Sequence, residues 1–174
     1  MSKFGVSSTY LAKLAKHCLK EQPEIIPCDV FLNQSELAVN KCFIINSQIS
    51  DLPGSHFLCV LIKEDEIIYF DSLAFPILND YIKTKLKTTN KPIRLCDEPI
   101  QGANSVFCGL YCLSFLIVCQ RKKRPFQEFL TMFSYQDPPG CFMKNEEVCA
   151  SIIKSKGLSL VLTEILKLCQ IEVF

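Results

Sequence analysis

The chain has no long hydrophobic run. Its most apolar stretches, Phe57–Ile62 and Phe115–Cys119, are only a few residues each, far short of the roughly 20 that cross a bilayer, so no membrane association is expected. The N-terminal segment carries lysines throughout and no uninterrupted apolar core, which does not fit a secretory signal peptide. Charge of one sign is also missing. Nineteen Lys and Arg against 18 Asp and Glu leave a formal net charge of +1, and a dedicated nucleic-acid binder usually shows a clear basic excess. There is no CxxC pair, and the only two histidines, His17 and His56, have no cysteine or histidine neighbours at zinc-finger spacing. No metal site is expected. Repeats and Gly/Ser linkers are absent too, so residues 1–174 are expected to form a single, monomeric domain.

Apolar residues are plentiful at 49%, and a chain of 174 residues can bury roughly 70% of its unfolded surface. Cysteine is abundant as well. Eleven is a high and odd count, whereas a secreted disulfide scaffold would be shorter and would pair its thiols evenly. Cys59, Cys112, Cys119, Cys149 and Cys169 lie inside apolar runs, where a free thiol behaves as a small hydrophobe. A reducing compartment is the expectation.

The periodicity predicts a helix over 8–20, opened by Ser/Thr caps and ended before Pro23 and Pro27. Residues 29–33 and 36–46 read as extended, and 47–55 as an exposed turn-rich loop. The clearest strands are His56–Ile62 and Ile67–Phe70, joined by the polar turn Lys63-Glu64-Asp65-Glu66 as an antiparallel hairpin. Asn79–Leu86 reads as a helix and Pro92–Leu95 as a strand. Cys108–Gln120 is apolar on every side, as a fully buried helix would be. Residues 126–134, 144–156 and 158–169 are further helical candidates. This order predicts an α+β fold, a mixed or antiparallel sheet packed on one central buried helix.

A thiol becomes a useful nucleophile only as a thiolate, which needs a base and a positive field. Cys108 alone among the cysteines opens the long buried helix, whose N-terminus supplies such a field. Gly109 is read as allowing close approach of a substrate backbone beside free N–H groups. His56 opens a buried strand after a Gly-Ser turn, whereas His17 sits on a lysine-rich amphipathic helix suited to solvation or packing. Asp71 ends the strand paired with that of His56, so an antiparallel ladder brings the two together. The alternative for Asp71 is a turn starter in Asp71-Ser72. Gln101, seven residues before Cys108 on the entering loop, can donate its amide to an oxyanion.

The chain order His56, Asp71, Gln101, Cys108 resembles the clan of cysteine proteases that includes adenovirus endopeptidase (adenain) and the SUMO-specific proteases. IQGANSVFCGLYCLSFL is similar to the adenain signature of Gln-Gly-x-Asn-Ser, two residues, then Cys-Gly-Leu, an aromatic and Cys. FIINSQISDLPGSHF resembles the adenain segment leading into Gly-x-His-aromatic, and YFDSLAF its acid-bearing strand end, with Ser-Leu as in SUMO proteases. In SUMO-type enzymes the glutamine stands one residue closer to the cysteine, with Asp commonly before it. Here Phe107 fills that position, which favours the adenain branch.

The resemblance covers roughly residues 28–120. It implies a papain-like, adenain-like fold and a catalytic set of Cys108 nucleophile, His56 base, Asp71 orienter and Gln101 oxyanion donor. It further implies polypeptide substrates, namely viral capsid or core precursors cut after glycine during virion maturation, in the host nucleus and virion. The alternatives are a protease of ubiquitin-like modifiers and a catalytically silent interaction module. The chemistry itself requires no cofactor. Adenain is activated by a peptide, tethered through a cysteine about eleven residues before the glutamine, and by DNA. Cys96 stands only five residues before Gln101, so that tether does not transfer by position. For DNA, the basic clusters Lys83/Lys85/Lys87/Lys91 and Arg121–Arg124 are the candidates, with a solvated face as the preferred reading.

Overall fold

The structure, a computed structural model, describes residues 5–121, 126–133, 141–157 and 159–168. Helix α1 (Ser8–Cys18) starts where the Ser7 hydroxyl accepts from the Tyr10 N–H, and it buries Leu11, Leu14, Ala15 and Cys18 along one face. Strands β1 (Glu24–Pro27), β2 (Cys42–Asn46), β3 (Phe57–Ile62), β4 (Ile67–Phe70) and β5 (Ile93–Leu95) form one sheet in sequence order. The sheet is mixed. β1 runs parallel to β2 and β4 to β5, while β2, β3 and β4 form an antiparallel meander.

Side chains alternate across a strand, and both faces of this sheet are covered. Cys42, Ile44, Phe57, Cys59, Leu61, Ile68 and Phe70 face a large core shared with α1, α4 (Cys108–Leu116), α5 (Phe126–Leu130), α6 (Cys141–Lys154) and α7 (Ser159–Leu168). Phe43, Ile45, Leu58, Val60, Ile62, Ile67 and Tyr69 face a smaller core under the short helices α2 (Cys28–Leu32) and α3 (Asp80–Lys87). Hence β3 and β4 read as unbroken apolar runs. On the larger side α4 is central, and every one of its residues is buried. Phe70 stacks on Phe115 at 4.8 Å between ring centroids, with Phe129 edge-on to both at 5.5 Å.

The predicted α+β architecture with a central buried helix is what the structure has, with four local corrections. Residues 29–33, expected to be extended, lie mostly in α2, which Pro27 precedes and whose first turn carries Asp29. Asp29 accepts from the backbone N–H and the hydroxyl of Ser50 and so pins the 47–55 loop. Only the last part of 36–46 is a strand. The Pro23–Pro27 segment is not merely a helix stop but forms β1, an edge strand where proline is tolerated. The buried helix also changes pitch, passing from α4 into a π-helical turn at Ile117–Arg121. Cys169 and Lys122–Arg124 lie outside the described residues.

Candidate active site

The β3–β4 register decides where the histidine and its acid meet. Cys59 pairs with Phe70, so Asp71 falls opposite Leu58, and His56, two residues further along and on the same face, is its diagonal neighbour just beyond the ladder. His56 Nε2 lies 2.9 Å from Asp71 Oδ1. The Asp71 side chain is 3% exposed and that of His56 18%, so the pair is shielded on the acid's side and open on the base's. Asp71 also accepts from the Leu73 N–H at 2.9 Å, and its carbonyl from Ala74 N–H, closing a turn. Asp71 thus starts the turn after β4 and at the same time hydrogen-bonds the His56 ring.

With Nε2 committed to Asp71, the Nδ1 side of the ring is left for the thiol. Cys108 opens α4 and is 8% exposed. Its sulfur accepts the Phe57 N–H at 3.4 Å, a contact made by the residue next to His56. Burial is the largest influence on the His56 ring and opposes its protonation. The hydrogen bonds to Asp71 and Cys108 and the charges on both outweigh it, so the pKa rises from 6.5 to about 10. At neutral pH the imidazole is therefore protonated. The imidazole, a backbone N–H and the N-terminus of α4 thus converge on one sulfur, the surroundings in which a nucleophilic cysteine is placed.

Gln101 is brought to the same place and is 3% exposed. Its backbone N–H donates to the Ser72 carbonyl at 3.0 Å, its Oε1 accepts from the Ser72 hydroxyl at 2.6 Å, and its Nε2 donates to the Ser105 carbonyl at 2.9 Å. Asn145 of α6 donates to the Ile100 carbonyl at 2.9 Å and ties the loop to the helical layer. All four predicted residues line one cleft of about 570 Å³. Ser47, Gly54, Ser55 and Asn79 form one part of its wall, and Leu58, Leu73, Phe75, Pro76 and Leu78 an apolar part.

Several sequence expectations are refined by these contacts. Gly109 does not face a substrate, because a Cβ there would stand 2.6 Å from Leu11 Cδ1. Its missing side chain lets α1 pack against α4. His17 is exposed, its Nδ1 2.8 Å from the Lys13 carbonyl, away from the cleft. Cys96 is buried and donates to the Glu98 carbonyl at 3.2 Å, which removes it as an external tether. In the first basic cluster Lys85 is buried against the Gln34 carbonyl, and Lys91 donates to the Lys63 carbonyl at 2.7 Å. That leaves Lys83 and Lys87 exposed rather than four lysines in one patch. Nine of the cysteines are buried thiols, none of them in a disulfide. Two contacts escape the sequence, the Phe57 N–H on the sulfur and the Ser72 hydroxyl on Gln101. The first is a backbone group with no sequence signal. The second is visible there only as the residue after Asp71.

No protein-family profile and no curated protein matches the chain. Among solved structures it is similar to a de-sumoylating protease, at TM-score 0.49 and 17% identity over 94% of this chain and 84% of the other. It is also similar to an AvrA variant solved with IP6 and CoA, at TM-score 0.46 and 15% identity over 88% of this chain and 71% of the other.

Proposed function

We propose that the chain is a cysteine endopeptidase of the adenain type, cleaving viral structural precursors after glycine during virion maturation. The observation that carries this reading is the convergence of His56, Asp71, Gln101 and Cys108 in one open cleft, with His56 hydrogen-bonded to Asp71 and the residue after it donating its N–H to the Cys108 sulfur. The apolar wall supports a polypeptide substrate, since Phe75 and Leu78 remain 52% and 72% exposed beside the cleft. Large apolar side chains left in water there gain by covering against an extended chain. The resemblance would place the enzyme in the host nucleus and the virion.

In the reaction, the Cys108 thiolate adds to the scissile carbonyl carbon and the carbonyl electron pair moves to oxygen. The second N–H of Gln101 Nε2 and the Cys108 backbone N–H are the donors for that oxyanion. Collapse breaks the C–N bond, and His56 passes its proton to the leaving amine. The thioester is then attacked by water, which loses a proton to His56, and the thiolate departs as the carboxylic acid forms. Asp71 holds the ring in one orientation through both halves.

The test is mass spectrometry of candidate precursor proteins co-expressed with the active enzyme or with Cys108→Ala. Cuts after glycine that vanish in C108A support the reading. The Asp71-Ser72-Leu73 sequence at the end of β4 favours a second substrate class, a ubiquitin-like modifier fusion. Release of the modifier with no cut in precursors would select it. A Cys108 that fails to react with a peptide aldehyde would leave only an interaction module.

A further inference from the structure

A glutamine amide is useful to an oxyanion only when its nitrogen, not its oxygen, faces the reacting carbonyl. Two neighbours fix the choice here. The Ser105 carbonyl can only accept, so Nε2, 2.9 Å away, must be the end that points to it. The Ser72 hydroxyl lies 2.6 Å from Oε1 and donates to it. Ser72 is fully buried and Gln101 is 3% exposed, so no solvent can replace that donor. The Ser72 carbonyl meanwhile accepts the N–H groups of both Ile100 and Gln101, at 2.9 and 3.0 Å. One residue thus grips the glutamine by backbone and side chain together. That residue directly follows Asp71, which grips His56. With one N–H spent on Ser105 and Oε1 turned toward Ser72, the remaining N–H of Nε2 is the group left for the cleft.

We propose that Ser72 is a positioning residue that sets the orientation of the Gln101 amide for oxyanion binding, an inference that rests on the peptidase reading above. Loss of its hydroxyl leaves Oε1 buried without a donor and frees the amide to tilt or turn, presenting oxygen where nitrogen is needed. A serine that merely satisfies a core position would affect stability and nothing specific to the oxyanion.

The experiment compares Ser72→Ala, Ser72→Cys, Gln101→Ala and the S72A/Q101A double variant on one cleavable peptide, alongside two thiol probes. Iodoacetamide reacts by displacement, in which the thiolate sulfur forms a bond to carbon and iodide leaves, so no oxyanion arises. A peptide aldehyde adds the thiolate to its carbonyl and does need the oxyanion donors. Removing an oxyanion donor outright costs about 10²- to 10³-fold in kcat, so Q101A should fall in that range. S72A should lose about tenfold in kcat with KM little changed, and S72C, a weaker donor of similar shape, should fall between it and the wild type. S72A should weaken aldehyde binding by a similar factor while alkylating at the wild-type rate. In the Q101A background S72A should cost nothing further. Independent, multiplying losses in the double variant would overturn the proposal, as would equal loss in both thiol probes. So would S72A at wild-type kcat while Q101A is impaired, an outcome that leaves the peptidase reading standing. If S72A does not fold, S72C takes its place with both probes, and the same outcomes support or overturn the proposal. A silent Q101A with a dead C108A would remove Gln101 from the oxyanion site and this inference with it. An active C108A would instead sink the peptidase reading.

Discussion

The two halves of the candidate site are built in different ways. His56 and Asp71 stand 15 residues apart and meet because a four-residue turn fixes the β3–β4 register. A slip of β4 by one residue would turn all its apolar side chains to the opposite face, where the wrong core waits. Cys108 and Gln101 are held instead by tertiary packing. The sulfur meets the Phe57 N–H across 51 residues, and the Gln101 loop hangs on Ser72 and on Asn145 of α6. The first half is thus specified by local pairing. The second depends on α4 being seated against the sheet, through Phe115 on Phe70 and through Gly109 under Leu11. Substitutions in the two halves should therefore fail differently, the first in chemistry and the second in chemistry or in packing.

The largest effect belongs to the nucleophile. Cys108→Ala should abolish cleavage, since losing the nucleophile of a cooperating set costs on the order of 10⁶ in rate. Cys112→Ser, one turn deeper and fully buried, should keep the chemistry, with any loss following a lower melting temperature. A C108A enzyme at wild-type rate beside a dead C112S would reverse the assignment.

In the other half, His56→Ala should be nearly as severe as C108A, and His17→Ala close to silent in a steady-state peptide assay. Equal losses would show that the strand-end position does not select the base. The His56 ring also links stability to pH. Its folded pKa is raised, to about 10 from 6.5, so its contribution to stability is complete below about pH 6.5 and is lost as pH rises through about 10. Melting temperatures measured across that range should show this dependence in the wild type and lose it in H56A.

Asp71→Asn should be intermediate. The same acid-to-amide change costs about 10⁴ in kcat in a serine triad. Here Cys108 itself favours the imidazolium, so the loss should be smaller. Because the amide no longer supports the ring's charge, the alkaline limb of the pH–rate profile should move to lower pH. An unmoved limb would mean that Asp71 serves only the turn at Leu73 and Ala74.

This contrast also explains what the sequence can reveal. The hairpin, the buried helix and the four site residues carry one-dimensional signals. These are continuous apolar strands around a polar turn, a helix apolar all round, and a cysteine at that helix's start. α2 escapes the pattern because five residues show little periodicity, and Pro27 reads equally as a stop or as the residue before a new helix. β1 escapes it because its two isoleucines have no alternating polar partners. Gly109 misleads because its closest neighbour, Leu11, is distant in sequence. The hydrogen bonds that Ser72 and the Phe57 N–H make are products of tertiary packing, which no local pattern encodes.

The smallest expected effect concerns DNA. The +1 net charge gives no general basic field. Lys85 and Lys91 are already committed to backbone carbonyls, and burial of Lys85 removes it from any phosphate. Lys83 and Lys87 remain on the exposed side of α3, which begins at the Asn79 cap, and Asn79 also lines the cleft. Any duplex bound there would thus make few phosphate contacts. Adding duplex DNA to a peptide-cleavage assay should raise turnover only slightly, and the rise should fade gently with salt. Each neutralised phosphate contributes a log–log slope of about −0.9, so two exposed lysines set a slope no steeper than about −2 from this cluster. Lys83→Glu with Lys87→Glu should remove that small rise and leave DNA-free turnover unchanged. A steep salt dependence that persists in this double variant and is abolished by charge reversal at Arg121–Arg124 would assign DNA activation to the second cluster. It would also overturn the preference for a solvated face there.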